Sequence, residues 1–269
     1  MKIYSESEII DQLKNMHAPQ DSVVIMHSAL RAIGKIEGGT EKLLHILIEY
    51  FTAKGGLFCV PTHTWHNQQK EITLDMTTND HCLGAFATVA LQSKLGIRSE
   101  NPTHSLVVFG DREKAEDFIK NEQFIQSATA PEGCYGQLFS RDGYVLLVGV
   151  AQNVNTYLHA VDEILQIPNR MKESPRSFCI RRENGEKVQR DIIMYHTDYT
   201  PDISGRFPVY DTAFRYHRCI TDGFIGDAPT QLCSARKMKE TVELIYQNSC
   251  GEDPLYRWYP VPQKWYCKK

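Results

Sequence analysis

Short apolar runs rich in β-branched residues, alternating with segments of helical periodicity, constrain this chain more than any other feature. Ser22 to Ser28 (SVVIMHS), Leu57 to Val60, Ser105 to Phe109 and Tyr144 to Val150 are such runs. Apolar positions that do not alternate with polar ones mark strands buried on both faces, as in parallel sheets. Between them, Gly38-Gly39-Thr40 opens a helix with Thr40 as expected N-cap, Glu41 in the first turn, and Leu43, Leu44, Leu47, Ile48 and Phe51 on one face. Gly55-Gly56 closes it. Ala85 to Leu95, Arg112 to Lys120 and Thr156 to Gln166 read as further helices. This rhythm predicts an α/β fold with a mostly parallel central sheet flanked by helices.

The pattern changes after about residue 170. Ser177 to Arg182 and Lys187 to Tyr195 flank Asn184-Gly185, a favoured hairpin dipeptide, which predicts an appended antiparallel β-hairpin layer. Asp211 to Arg218 reads as a short helix, and Thr230 to Gln247 as a longer one preceded by Pro229. The expectation is a single domain over 1–269, with a core of about 1–170 and a hairpin and C-terminal helical portion of about 171–269.

Several function classes are disfavoured. The 30 basic and 33 acidic residues give a formal charge of -3, unlike a basic nucleic-acid binder. The opening MKIYSESEII lacks the apolar core of a signal peptide, and no apolar run could span a bilayer. A cytoplasmic protein without nucleic-acid or membrane partners is expected. The 8 cysteines form no C-x-x-C pair, so free thiols are expected over disulfides.

Several segments could carry chemistry. His27-Ser28-Ala29-Leu30-Arg31 leaves a strand toward a glycine turn and a helix, a setting that exposes backbone N–H groups to phosphate or simply makes a turn. Arg98-Ser99 with Pro102-Thr103-His104-Ser105 gathers donors in one loop. His159, Asp162 and Glu163 share a helix face after a strand end, where a carboxylate could orient an imidazole base. His63, Trp65 and His66 follow another strand end, with Asp80-His81 downstream, but their spacing matches no zinc motif. Cys134 has no neighbouring cation to activate it.

In order and spacing these segments resemble the aminoglycoside 3-N-acetyltransferase family, which is distinct from the GCN5-related acetyltransferases. His27-Ser28-Ala29-Leu30 with Gly34 and Gly38-Gly39 resembles the family's opening motif. Gly55-Gly56-Leu57 through Val60-Pro61-Thr62 resembles its second strand, and Arg98-Ser99 with Pro102-Thr103-His104-Ser105 its third motif. Ala130-Pro131-Glu132-Gly133, Leu146 to Val150 and Asn155-Thr156 with His159 resemble its middle. The resemblance implies acetyl-CoA as donor, contacted by Ser28, Leu30, Arg31, Thr103, His104 and Ser105. It implies His159 as catalytic base with Asp162 at the family's glutamate position and Glu163 as a rival partner.

His63, Trp65, Asp75 and Asp211 are the expected contacts for the amine substrate, and no metal is expected. A polycationic acceptor needs acidic surroundings. The segments that would supply them carry Glu71, Asp75 and Asp80, then Asp198, Asp202 and Asp211. An aminoglycoside or related amino sugar is the expected acceptor, and another small amine the alternative. A CoA-binding protein without transferase activity, or a metal hydrolase built on His63, His66 and His81, are the competing classes. A homodimer is compatible with everything above.

Overall fold

The backbone of β1 (Val23–Ser28) is buried from both sides, which is why its residues are apolar without alternation. Val23 and Ile25 pack into one core cluster, Val24 and Met26 into the other. The computed structural model describes residues 2–195, 202–257 and 259–267. Around β1, the chain runs α1 (Glu6–Asn15) before it, then α2 (Gly39–Thr52), β2 (Leu57–Pro61), β3 (Leu74–Asp75), α3 (Ala85–Gln92), β4 (Ile97–Arg98) and β5 (Leu106–Phe109). It continues with α4 (Arg112–Ile119), α5 (Cys134–Ser140), β6 (Tyr144–Val148), α6 (Tyr157–Ile164), β7 (Arg176–Arg181) and β8 (Lys187–Ile192). α7 (Asp211–Tyr216), β9 (Ile220–Ile225), β10 (Ala228–Ser234) and α8 (Ala235–Asn248) complete the elements used below.

The main sheet is 7-stranded, in the order β9-β10-β6-β1-β2-β5-β4. One face carries the cluster built from α5, α6 and α8, the other the cluster built from α1, α2 and α3. The expected parallel arrangement is limited to the β6-β1-β2 centre. β10 and β9 on one side and β5 and β4 on the other are antiparallel. For the two edge pairs, connection length is the reason. The loops joining β4 to β5 and β9 to β10 are too short for the crossover that a parallel pair needs.

Two local expectations are corrected. α2 starts at Gly39, with Gly38 as its cap in a left-handed conformation, so Thr40 sits inside the helix. The long C-terminal helix starts at Ala235, not Thr230, and Ser234 accepts a hydrogen bond from Lys237 N–H as its cap. Pro229 and Thr230 belong instead to β10, pairing with β9 across the Gly226-Asp227 turn. β7 and β8 pair antiparallel around Asn184-Gly185, and β3 joins β7 as a third, parallel strand. No described helix is long and apolar enough to cross a membrane.

Gly226 shows how α1 is fastened to the sheet. The Gln12 side chain donates to the Gly226 carbonyl at 3.0 Å and accepts from its N–H at 2.7 Å. The residue has φ +60°, and a Cβ there would lie 2.0 Å from the Ile33 carbonyl oxygen. Gly226→Ala is therefore expected to cost about 2 kcal/mol or more, from backbone strain plus a clash that only backbone movement relieves. Urea unfolding of the two proteins measures it; an unchanged midpoint would contradict the clash.

Candidate active site

The carboxyl ends of β1, β2 and β6 lie at one edge of the sheet, and β5, being antiparallel to β2, begins at the same edge. That geometry gathers imidazoles from distant parts of the chain. His27 is near the end of β1, His63 follows β2, His104 precedes β5 and His159 lies on α6, after β6. The His63 and His104 ring centroids are 4.5 Å apart, and those of His27 and His63 6.5 Å. His159 stacks on Tyr195 at 3.9 Å with 13° between planes, while Phe207 meets it edge-on.

The loop before β5 is rigidly tied to the segment after β2. Thr62 N–H donates to Ser105 O and Thr64 N–H to Thr103 O, extending the β2-β5 ladder past its end. The Asn101 side-chain oxygen accepts from the Thr103 and His104 N–H groups. The Arg98 guanidinium donates to Ser105 Oγ and to the carbonyls of Thr62 and Asp80. The Thr103 hydroxyl pairs with His104 Nδ1 at 2.9 Å. Thr103 and Ser105 are fully buried. This corrects the expectation that they contact the donor: the Thr103 hydroxyl is taken up by His104, and the Ser105 hydroxyl by the Thr62 carbonyl and Arg98.

These elements enclose a cleft of about 470 Å³. His27, His63, His104 and His159 line it, together with Trp65 and Tyr195. A narrower, mostly apolar recess of about 160 Å³ adjoins it, walled by Ser28, Leu30, Pro61, Phe86 and the start of α3. The two cavities share His27, Leu83 and Val154. Charged groups on the described lining of the cleft are Lys172, Arg176 and Asp202.

Burial keeps the imidazoles neutral. It pulls His27 down to about 4 and His104 to about 3, the latter also through His159 and His27. His159 falls to about 3 through burial and the nearby Arg170 charge. His63, buried among the other three, lies well below the ordinary histidine value. Each ring near pH 7 therefore carries one N–H and one lone pair.

The expected His159–carboxylate pairing is not what the structure holds. Asp162 is buried and accepts from Arg170 Nε at 3.1 Å. Arg170 also pairs with Asp253 at 2.7 Å and donates to the Tyr246 hydroxyl at 2.6 Å. Burial pushes the Asp162 carboxyl up, against the pull of Arg170. Glu163 accepts from the hydroxyls of Ser127 and Thr129. Thr129 Oγ1 in turn accepts from the Tyr195 hydroxyl at 2.7 Å. The reason is helical geometry: the three side chains leave α6 at different angles, and only His159 opens on the cleft.

Other expected residues also lie elsewhere. Asp75 pairs with Arg181, Arg31 is exposed, and Asp211 sits at the start of α7, outside the cleft lining. Asp198 lies outside the described residues. His63 pairs with Tyr135, His66 faces Asp80 and His81 meets Thr88, so that trio has no common centre. Among the described residues no group of three or more His, Cys, Asp or Glu could hold a metal. Cys134 is buried, its thiol pushed up by burial and by Glu122. Tyr195, Lys172 and Arg176 were not anticipated, because nothing in the periodicity of the hairpin region marks which residues face the sheet edge.

The Asp162–Arg170 pair makes a clear stability prediction. Arg170→Met strands a buried carboxylate and is expected to cost about 3–5 kcal/mol, while Asp162→Leu with Arg170→Met recovers much of that loss. Denaturant unfolding of both variants tests it; equal losses would mean that the pair is not energetically coupled.

The aminoglycoside 3-N-acetyltransferase family model matches residues 25–246. The chain is 24% identical over 259 residues to aminoglycoside N(3)-acetyltransferase IV of Salmonella sp, covering 96% of this chain and 91% of that protein. It is 22% identical over 178 residues to the aminoglycoside N(3')-acetyltransferase-like protein YokD of Bacillus subtilis, covering 59% of this chain and 64% of that one. The fold is similar to that of aminoglycoside acetyltransferase AAC(3)-IVa in complex with a gentamicin. That TM-score is 0.76 at 21% identity, over 94% and 93% of the two chains. It is also similar to AAC-IIIb in a binary complex with CoASH, with a TM-score of 0.75 at 18% identity over 89% and 94%. With the model spanning most of its length, the chain belongs to the aminoglycoside 3-N-acetyltransferase family of acyltransferases.

Proposed function

We propose that this protein transfers an acetyl group from acetyl-CoA to an amine of an aminoglycoside or related amino sugar, with His159 as general base. The observation that carries the reading is the meeting of an apolar recess with a larger, histidine-lined cleft beside a neutral, partly open imidazole. A thin arm such as pantetheine, whose methylenes separate its two amides, suits a narrow recess walled by Leu30, Pro61 and Phe86, and acetyl-CoA supplies an activated acyl group there. The amino sugar then occupies the wider cleft, with Trp65 offering a ring face and Asp202 a carboxylate. We read 1–269 as a single acetyltransferase unit and the protein as cytoplasmic.

The chemistry needed from the chain is modest. An alkylammonium cannot attack a thioester, so the amine first gives up one proton to solvent. As the nitrogen–carbonyl bond forms and the carbon–sulfur bond breaks, the nitrogen sheds a second proton, which the lone pair of His159 accepts. The proton then leaves with the thiolate. Direct transfer is favoured over a covalent enzyme intermediate because Cys134, a loop thiol considered as nucleophile, is buried away. Asp162 and Glu163 support the base indirectly in this reading. Asp162 braces α6 through Arg170, and Glu163 holds the Thr129–Tyr195 pair that covers the His159 ring.

Thiol release from acetyl-CoA in the presence of gentamicin-type and related amines tests the activity. His159→Ala is expected to lower kcat/KM by about 10²- to 10⁴-fold with little change in thermal stability; full activity in that variant would remove the base. The pH dependence follows from the lowered imidazole. A base acts in its neutral form, and His159 stays neutral until about pH 3. Referred to unprotonated amine, kcat/KM is expected to stay level from neutrality down to about pH 5; a loss centred near pH 6.5 would place the base elsewhere.

A further inference from the structure

On the acetyl-transfer reading above, we propose that His27 is a second catalytic imidazole, whose Nε2–H donates a hydrogen bond to the acyl oxygen of the donor where the recess meets the cleft.

Position is the first argument. His27 is a wall of both cavities, so a group reaching from one into the other passes it. It shares the β1 face of Val23 and Ile25, and α6, which carries His159, packs on that face. The acyl carbon, the incoming amine and the base must all meet at this junction. His27 is placed on the donor side of it, and His159 lines only the acceptor cleft.

The second argument is an account of donors. His27 is 8% exposed, and its Nε2 is buried without a hydrogen-bond partner. Each neighbouring imidazole has one ring nitrogen already paired. His63 Nε2 is paired with the Tyr135 hydroxyl at 2.7 Å, and His104 Nδ1 with the Thr103 hydroxyl. The Ser105 hydroxyl donates to the Thr62 carbonyl at 2.8 Å and accepts from Arg98. His104 and Ser105 were expected among the contacts to acetyl-CoA. Ser105 is walled off by its own bonds, and His27 is the histidine of this group with an orphaned buried nitrogen. Buried polar groups are seldom left unpaired, so one that lines two adjoining cavities needs a partner, and a ligand there supplies it.

The third argument is chemical. During transfer the amine nitrogen bonds to the acyl carbon, and negative charge gathers on the acyl oxygen. The oxygen returns that charge as the carbon–sulfur bond breaks. The amine proton goes to His159 and then to the departing thiolate. His27 neither gains nor loses a proton; its N–H polarises the oxygen throughout. A pre-positioned donor in a site that excludes water favours the charged arrangement over the neutral ground state. The role requires the imidazole hydrogen on Nε2, leaving Nδ1 as the lone-pair nitrogen.

The test compares two CoA analogues by calorimetry. One is a ketone in which methylene replaces the thioester sulfur, keeping the oxygen; the other is S-ethyl-CoA, which lacks it. Wild-type protein is expected to prefer the ketone by about 5-fold or more. His27→Ala is expected to abolish the preference while S-ethyl-CoA binds as before, and to lower kcat by about 10²-fold at near-constant KM for the amine. His27→Gln, whose side-chain amide keeps a donor, is expected to recover part of both, and it serves if the alanine variant fails to fold. Retention of the ketone preference and of kcat in both variants would overturn the proposal and assign the nitrogen to an internal water. If neither analogue binds wild-type protein, the donor reading itself fails, and the role of His27 with it; that outcome differs from tight binding without discrimination.

Discussion

β1 hydrogen-bonds to β2 on one side and to β6 on the other, both in parallel, and that pairing governs where the working groups can sit. A parallel pair needs a long crossover, so the chain leaves all three strands at the same edge and must return over a face of the sheet. The segments leaving that edge carry His27, His63 and, after β6, α6 with His159. Antiparallel β5 then brings His104 to the same edge from the opposite chain direction. Ligand crevices outside the carboxyl ends of strands are the general outcome of such sheets.

Burial at that edge has a price in polarity, and the molecule meets it unevenly. The imidazoles stay neutral, because each charge would be both desolvated and close to others. Arg170 stays charged under comparable burial, since Asp162, Asp253 and Tyr246 supply partners around its guanidinium. One site thus combines a neutral chemical surface with a charged brace behind α6.

How much of this was legible varies by element. β1, β2, β5 and β6 were readable because buried strands have no polar alternation to confuse them. β9 and β10 were not: Ile220 to Ser234 mixes Thr, Asp, Gly and Pro with apolar residues, and Pro229 looks like a helix start. The family motifs led to His159, His104, Ser28 and Leu30, and the strand end to His63; all five line the cavities. The same motifs misassigned Thr103 and Ser105, because a hydroxyl in a loop reads alike whether it faces a ligand or a neighbouring carbonyl. The acidic residue Asp75 was chosen by charge, and charge does not report direction.

Taken by itself, the sequence determined the α/β class, the buried centre of the sheet and the family. Those properties are local: periodicity, turn chemistry and motif order are written in neighbouring residues. Only the tertiary structure decided that Asp162 serves Arg170 rather than His159, that Tyr195 covers the His159 ring, and that the buried nitrogen of His27 is left without a partner. Those depend on contacts between residues far apart in the chain. There the angle at which a side chain leaves its helix or strand, not its type, selects its partner.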